Sequence, residues 1–125
     1  MNESEVLREF MSGRNCAQCV LGAFADEGGY DIDETDRIAS GFGGGMMMGQ
    51  TCGAVTGALM AIGMLGGDKE KCAEFEAKFK ERFGSCVCFE LLGNKTTAEA
   101  KESGKMMEVC PGFVTGAIEI VREIM

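Results

Sequence analysis

The chain has 125 residues, 46% of them hydrophobic, and a formal net charge of −8. This length is typical of one domain with one hydrophobic core, so we predict a single domain over residues 1–125. The acidic charge, with no basic stripe to offset it, argues against a nucleic-acid partner. The longest weakly polar run, residues 52–67, is shorter than the roughly 20 residues of a membrane span, so we expect a protein that is not membrane-embedded.

Cysteine is the residue type that points to chemistry, because the chain has seven cysteines and no histidine. The acidic start, residues 1–5, lacks the features of a secretory signal, which predicts a cytoplasmic protein. In a reducing compartment, cysteines more often serve metal, cluster or reversible redox chemistry than a static disulfide framework. The odd count also excludes complete internal pairing.

Apolar residues recur mostly at helical spacing, and no hairpin signal joins alternating runs. We therefore predict an all-α fold, a compact helical bundle of five or six helices with a glycine-rich loop before the central helix. The first helix is predicted to have Asn2 or Ser4 as its cap and to end at Gly13.

The second helix is predicted from about Asn15, with Cys16 and Cys19 on its apolar stripe. Asp33 is the predicted cap of a third, short helix, which the glycine-rich run at residues 41–45 ends.

The central helix is predicted to follow a glycine-rich loop, with Thr51 as its N-cap and Cys52 in its first turn. The sequence here is GQTCGAVTGA. A phosphate-binding loop is disfavoured, because the GxxxxGK[ST] pattern and a preceding strand are both absent.

The remaining predicted helices lie between residue 68 and the end of the chain. Asp68 is the predicted cap of a helix that ends at Gly84, residues 85–93 form a turn into a short helix, and another helix begins at residue 96 or 97. The last helix is predicted to begin at Pro111, with Cys110 as its N-cap. Three cysteines, Cys16, Cys52 and Cys110, are thus predicted at helix starts, where the helix dipole lowers thiol pKa values.

Five stretches together resemble the C_GCAxxG_C_C family of redox-active proteins. They are NCAQ at Cys16, SGFGGGM, GQTCGAVTGA at Cys52, CFELLG at Cys88, and Cys110 itself. The resemblance implies a small helical protein, often encoded near transporter genes, in which Cys16, Cys52, Cys88 and Cys110 are the characteristic cysteines of one redox site. A related module occurs in split-Soret cytochrome c, a dimeric dihaem protein with an iron–sulfur site, which suggests a homodimer here as well.

Four gathered thiolates suit an iron–sulfur cluster that carries one electron to a redox partner, so these cysteines are candidates both for metal ligands and for the catalytic redox groups. Gly49 and Gly53 are the candidate cofactor-binding glycines, because their backbone amides can come close to cluster sulfides. Haem is not expected, since covalent attachment needs CxxCH and the chain has no histidine.

Other uses of the same thiols stay open. One is thiol–disulfide exchange, with a thiolate such as Cys52 as the attacking group. A zinc ion held by four thiolates is a less favoured reading, because structural zinc usually uses paired CxxC knuckles. A redox- or metal-sensing module that acts with a transporter is a further alternative function. The sequence does not decide whether the protein is an enzyme.

The three further cysteines lie outside the family pattern. Cys72 is read as a small core residue, while Cys19 and Cys86 serve as alternate ligands, as resolving thiols or not at all. The methionine runs at residues 46–48 and 106–107 are read as adaptable packing in preference to soft-metal ligands.

Overall fold

The structure, a computed structural model, describes residues 1–125 and confirms an all-α fold. Nine α-helices follow one another, and a turn at Gly45–Gly49, in which Met46 and Met47 have a φ of 60°, precedes the central one. The helices are α1 Glu3–Met11, α2 Cys16–Gly22, α3 Ala25–Gly28, α4 Ile32–Ala39, α5 Gly53–Met64, α6 Lys69–Phe83, α7 Cys88–Leu91, α8 Thr97–Ser103 and α9 Lys105–Ile124. This count exceeds the predicted five or six. Helix α3, which spans four residues, is too short to show a helical period of its own.

Side-chain caps fix the starts of most helices. Asn2, Asn15 and Thr96 each form a capping box at the predicted position, and Asp68 caps α6. The prediction of Asp33 as the cap of α4 was wrong, because Asp31 is the N-cap. The Asp31 carboxylate accepts a hydrogen bond from the Glu34 N–H, and the Glu34 carboxylate accepts one from the Asp31 N–H, which completes a capping box. A Glu three residues after an Asp is the pattern that favours the earlier residue.

The last helix begins six residues before the predicted start, at Lys105. Gly104, with a φ of 81°, ends α8 and lets α9 begin at once. Pro111 lies inside α9, where it removes one backbone hydrogen bond. Cys110 is therefore in the second turn of α9 and not at an N-cap, so the helix dipole does not act on its thiol as predicted.

The start of the central helix also differs by one residue from the prediction. Cys52 itself is the N-cap of α5, and its side chain caps no backbone group. Thr51 instead forms an isolated antiparallel bridge with Val87.

The core forms where α5 and α9 pack with α2 and α6. At the α2–α5 contact, a Cβ added to Gly57 would lie 2.8 Å from the carbonyl oxygen of Ala17, so only glycine allows the two backbones this approach. Phe75 and Phe79 of α6 are fully buried between these helices. Helices α2 and α5 thus hold Cys16 and Cys52 at a fixed separation.

None of the nine helices combines the length and the apolar character needed to cross a bilayer.

Candidate functional site: a cavity lined by four cysteines

One cavity of about 360 Å³ is lined by all four of the predicted site cysteines, Cys16, Cys52, Cys88 and Cys110. They come from four places in the fold: the first residue of α2, the N-cap of α5, the first residue of α7 and the second turn of α9. All four are free thiols. The fold therefore brings together residues that are up to 94 positions apart in the sequence (110 − 16).

Asn15 fixes the position of Cys16. The Asn15 side-chain oxygen accepts a hydrogen bond from the Gln18 N–H at 2.8 Å, and the Asn15 N–H donates to the Gln18 side-chain oxygen at 2.8 Å. The Asn15 amide also donates to the carbonyl of Ser40 at 3.2 Å, which ties the start of α2 to the end of α4. Asn15 was predicted as the start of α2, but its hydrogen bond to Ser40 was not predicted.

A short antiparallel pairing fixes Cys52 against Cys88. The Cys52 N–H donates to the Cys86 carbonyl at 2.8 Å, and the Cys88 N–H donates to the Gln50 carbonyl at 2.6 Å. Because both bonds are between backbone groups, the separation of the Cys52 and Cys88 backbones does not depend on side-chain rotamers.

Three glycines near the site have different roles. Gly53 lines the cavity, and a Cβ there would lie 3.0 Å from the Cβ of Cys16. Gly45, with a φ of 65°, packs so closely that a Cβ would lie 2.7 Å from the Cβ of Cys88. Gly49 does not line the cavity and belongs to a neighbouring surface groove. Of the two candidate cofactor-binding glycines, the fold thus puts only Gly53 at the cavity.

The charged side chains of the cavity wall are both cationic, although the chain as a whole has 20 acidic and 12 basic residues. Arg14 lies in the wall and is held by Asp36 at 2.7 Å and Glu9 at 3.1 Å. Lys101 is the second cation and is exposed at the rim. Because Asp36 and Glu9 offset the charge of Arg14, Lys101 is the cation that favours a group with negative charge at the rim of the cavity. Neither residue was predicted to lie in the site, since no spacing between them and the cysteines along the sequence indicates that they come together in the fold.

Burial sets the protonation of most of these thiols. Hydrogen bonding between the thiols of Cys16 and Cys110, followed by burial, raises the pKa of Cys16 well above its ordinary value, and the same bond lowers the pKa of Cys110. Burial raises the pKa of Cys52 to about 12, against the opposing effect of the Ala54 N–H, and raises that of Cys88 to about 11. The prediction that helix starts lower the pKa of Cys16 and Cys52 was therefore wrong, because the neighbouring thiol and burial outweigh the helix dipole.

The three further cysteines do not line this cavity. Cys19 is fully buried in the main core, so the CxxC motif contributes only Cys16 to the site. Cys72 is partly exposed on α6, and the Cys86 thiol donates weakly to the Glu76 carbonyl at 3.8 Å.

No group of three or more Cys, Asp or Glu side chains is arranged to hold a single metal ion. A tetrahedral zinc ion with Zn–S bonds of about 2.3 Å requires thiolate sulfurs within roughly 4 Å of one another. The four thiols line one cavity without forming such a single-ion site.

The family model described as "Putative redox-active protein (C_GCAxxG_C_C)" matches residues 14–124. The chain belongs to this family. The matched range of this C_GCAxxG_C_C protein contains all four cavity cysteines, and the resemblance predicted from the sequence is confirmed. No curated protein and no solved structure matches the chain.

Proposed function

We propose that this C_GCAxxG_C_C protein transfers electrons through an iron–sulfur cluster held by Cys16, Cys52, Cys88 and Cys110. The observation that carries the proposal is the convergence of these four thiols, from four separate elements, on one cavity. Four cysteine ligands are the usual set for such a cluster, and the chain offers no imidazole as a substitute.

The distribution of the four thiols over the wall of one cavity supports a cluster in preference to a zinc ion. A cluster places several iron and sulfide atoms between its ligands, so its cysteines surround a space, whereas zinc draws its four sulfurs to one point. The absence of a single-ion arrangement and the cavity of about 360 Å³ support the first geometry.

The charges of the cavity also support the proposal. A cluster with four thiolate ligands is anionic, and Lys101 supplies positive charge at the rim, whereas the charge of Arg14 is offset by Asp36 and Glu9. The first turn of α5 offers the Gly53 and Ala54 amides, and N–H donors near cluster sulfur raise the reduction potential. Binding must displace protons from the buried Cys52 and Cys88, so cluster assembly is favoured by higher pH.

The test is the iron and acid-labile sulfide content, with the visible spectrum, of protein purified without oxygen. We expect iron and sulfide in matching amounts and a visible charge-transfer band that dithionite bleaches reversibly. Cys52→Ser should lose both, while Cys72→Ser, the same change at a cysteine outside the cavity, should retain both. Wild-type protein without sulfide, or equal iron content in the two variants, would refute the proposal.

A second candidate function, dithiol–disulfide exchange, rests on the contact between the Cys16 and Cys110 thiols. The pKa of Cys110 is lowered while that of Cys16 is raised, which favours Cys110 as the attacking group. Its attack on a partner disulfide would release one partner thiolate, and attack by Cys16 on the mixed disulfide would release the other. The two chain thiols are thereby oxidised and the partner disulfide is reduced. Metal-free wild-type protein that loses two thiols reversibly to an oxidised dithiol, with no such loss in Cys110→Ser, would support this function over the cluster.

A further inference from the structure

Two methionines lie in the wall of the cysteine cavity. Met106 and Met107 line it with the four thiols, so six sulfur-containing side chains surround one space that no carboxylate or imidazole lines. Met106 is half-buried and packs against the cluster that contains Cys88 and Cys110, whereas Met107 is 39% exposed. The other methionine run does not reach the cavity, since Met47 and Met48 lie in the neighbouring surface groove.

Three of these sulfur-containing residues belong to one packed group in the cavity wall, because Cys16 and Met106 both pack against the small buried cluster that contains Cys110. Met106 and Cys110 are four residues apart on α9, which places them on the same face of the helix, one turn from each other. Cys16, at the start of α2, packs against the same buried cluster as Met106, and hydrogen bonding with Cys110 shifts the pKa of both thiols. The result is a set of two thiols and one thioether from two helices.

We infer that Cys16, Cys110 and Met106 form a binding site for Cu⁺ in the cluster-free protein. Thiolate and thioether ligands suit this soft cation, while harder divalent cations favour the carboxylate and imidazole ligands that this wall lacks. Cu⁺ accepts a low coordination number, so the site needs only two thiolates and one thioether. It therefore does not require the larger ligand groups that are absent from the structure.

The site would exclude the proposed cluster, because Cys16 and Cys110 are needed for both. Cys52 and Cys88, by contrast, are required only by the cluster, and Met106 only by Cu⁺. These separate requirements make the two ideas independent: copper binding can fail while cluster binding stands, and the reverse.

The experiment is an anaerobic titration of the reduced, metal-free full chain with Cu⁺ in competition with the chelator bicinchoninate. We expect one tightly held Cu⁺ per chain, lost in Cys110→Ser and retained in Cys88→Ser. Met106→Leu should weaken binding by at least about tenfold, as removal of groups that support a metal typically does. Met107→Leu is the matched control and should bind as the wild type does.

Two results would overturn the inference. Equal Cu⁺ affinity in Met106→Leu and wild type would remove the thioether from the site. Loss of binding in Cys88→Ser as large as that in Cys110→Ser would assign the copper to all four thiols. Circular dichroism tests whether each variant is folded. If Cys110→Ser does not fold, the comparison of Cu⁺ affinity between Met106→Leu and Met107→Leu still tests the inference. Iron and sulfide loading of Met106→Leu should equal that of the wild type, so this variant does not test the cluster.

Discussion

Replacement of Gly57 by alanine tests the close approach of α2 and α5, which sets the positions of Cys16 and Cys52. A Cβ at residue 57 would lie 2.8 Å from the Ala17 carbonyl oxygen and 3.0 Å from the Ala17 Cα. Both contacts are with backbone, which cannot turn aside as a side chain can. The two helices must therefore move apart, and we expect Gly57→Ala to strain the core.

Gly63 provides the matched control within the same helix. It is exposed, and nothing lies within 4 Å of a Cβ added there. Both substitutions gain about 1 kcal/mol of helix propensity, but only Gly57→Ala also incurs the overpacking penalty of about 1–3 kcal/mol. The difference between the two variants thus isolates the steric effect at about 1–3 kcal/mol.

Thermal unfolding of the metal-free, reduced protein, followed by circular dichroism, measures this difference. An unfolding entropy of about 2.1 cal/mol/K per residue over 125 residues makes 1 kcal/mol equivalent to about 4 °C in Tm. We expect Gly57→Ala to melt about 4–12 °C below Gly63→Ala, with Gly63→Ala at or above the wild type. Equal Tm values for the two variants would refute the close packing of α2 on α5, and with it the separation of Cys16 from Cys52 described above.

Two further predictions concern the cap of α2 and the buried thiols. Asn15→Ala and Asn2→Ala each lose a capping box, which should lower the free energy of unfolding by about 1 kcal/mol. Only Asn15→Ala should also lower the iron and sulfide content, because of these two residues only Asn15 lies next to Cys16 and fixes the start of its helix. Equal content in both variants would contradict this role. The metal-free protein should lose stability in urea as the pH rises above 9, since the unfolded chain releases thiol protons near 9.0 while folded Cys19 and Cys52 hold theirs to about 11 and about 12. A urea midpoint that stays constant from pH 8 to pH 11 would contradict the burial of these thiols.

Local signals in the sequence predicted local structure well. Asp68 caps α6 and Gly84 ends it as expected, because an Asp before a helical run and a glycine with positive φ act within one turn of themselves. Thr96 likewise caps α8. Pro111 misled the prediction, since its preference for the first turn of a helix is statistical and Gly104 offered an earlier start for α9.

The four cavity cysteines were selected through their family pattern, and not through their spacing. Nothing in the sequence indicates that the Cys16 thiol contacts that of Cys110, because this contact depends on how α2 packs against α9. Lys101 was missed for the same reason. Met106 offered one usable signal, its separation of four residues from Cys110, but it gains meaning only once both are known to belong to one helix.

The position of Cys110 near the end of the matched region has a consequence for biosynthesis. A ribosome releases the chain from its N-terminus, so Cys16, Cys52 and Cys88 all emerge before the last wall of the cavity exists. Residues 105–124, which form α9 and carry Cys110, emerge afterwards. A nascent chain that stalls before residue 105 presents three of the thiols without an enclosed site, so the proposed cluster would be inserted only after α9 has emerged.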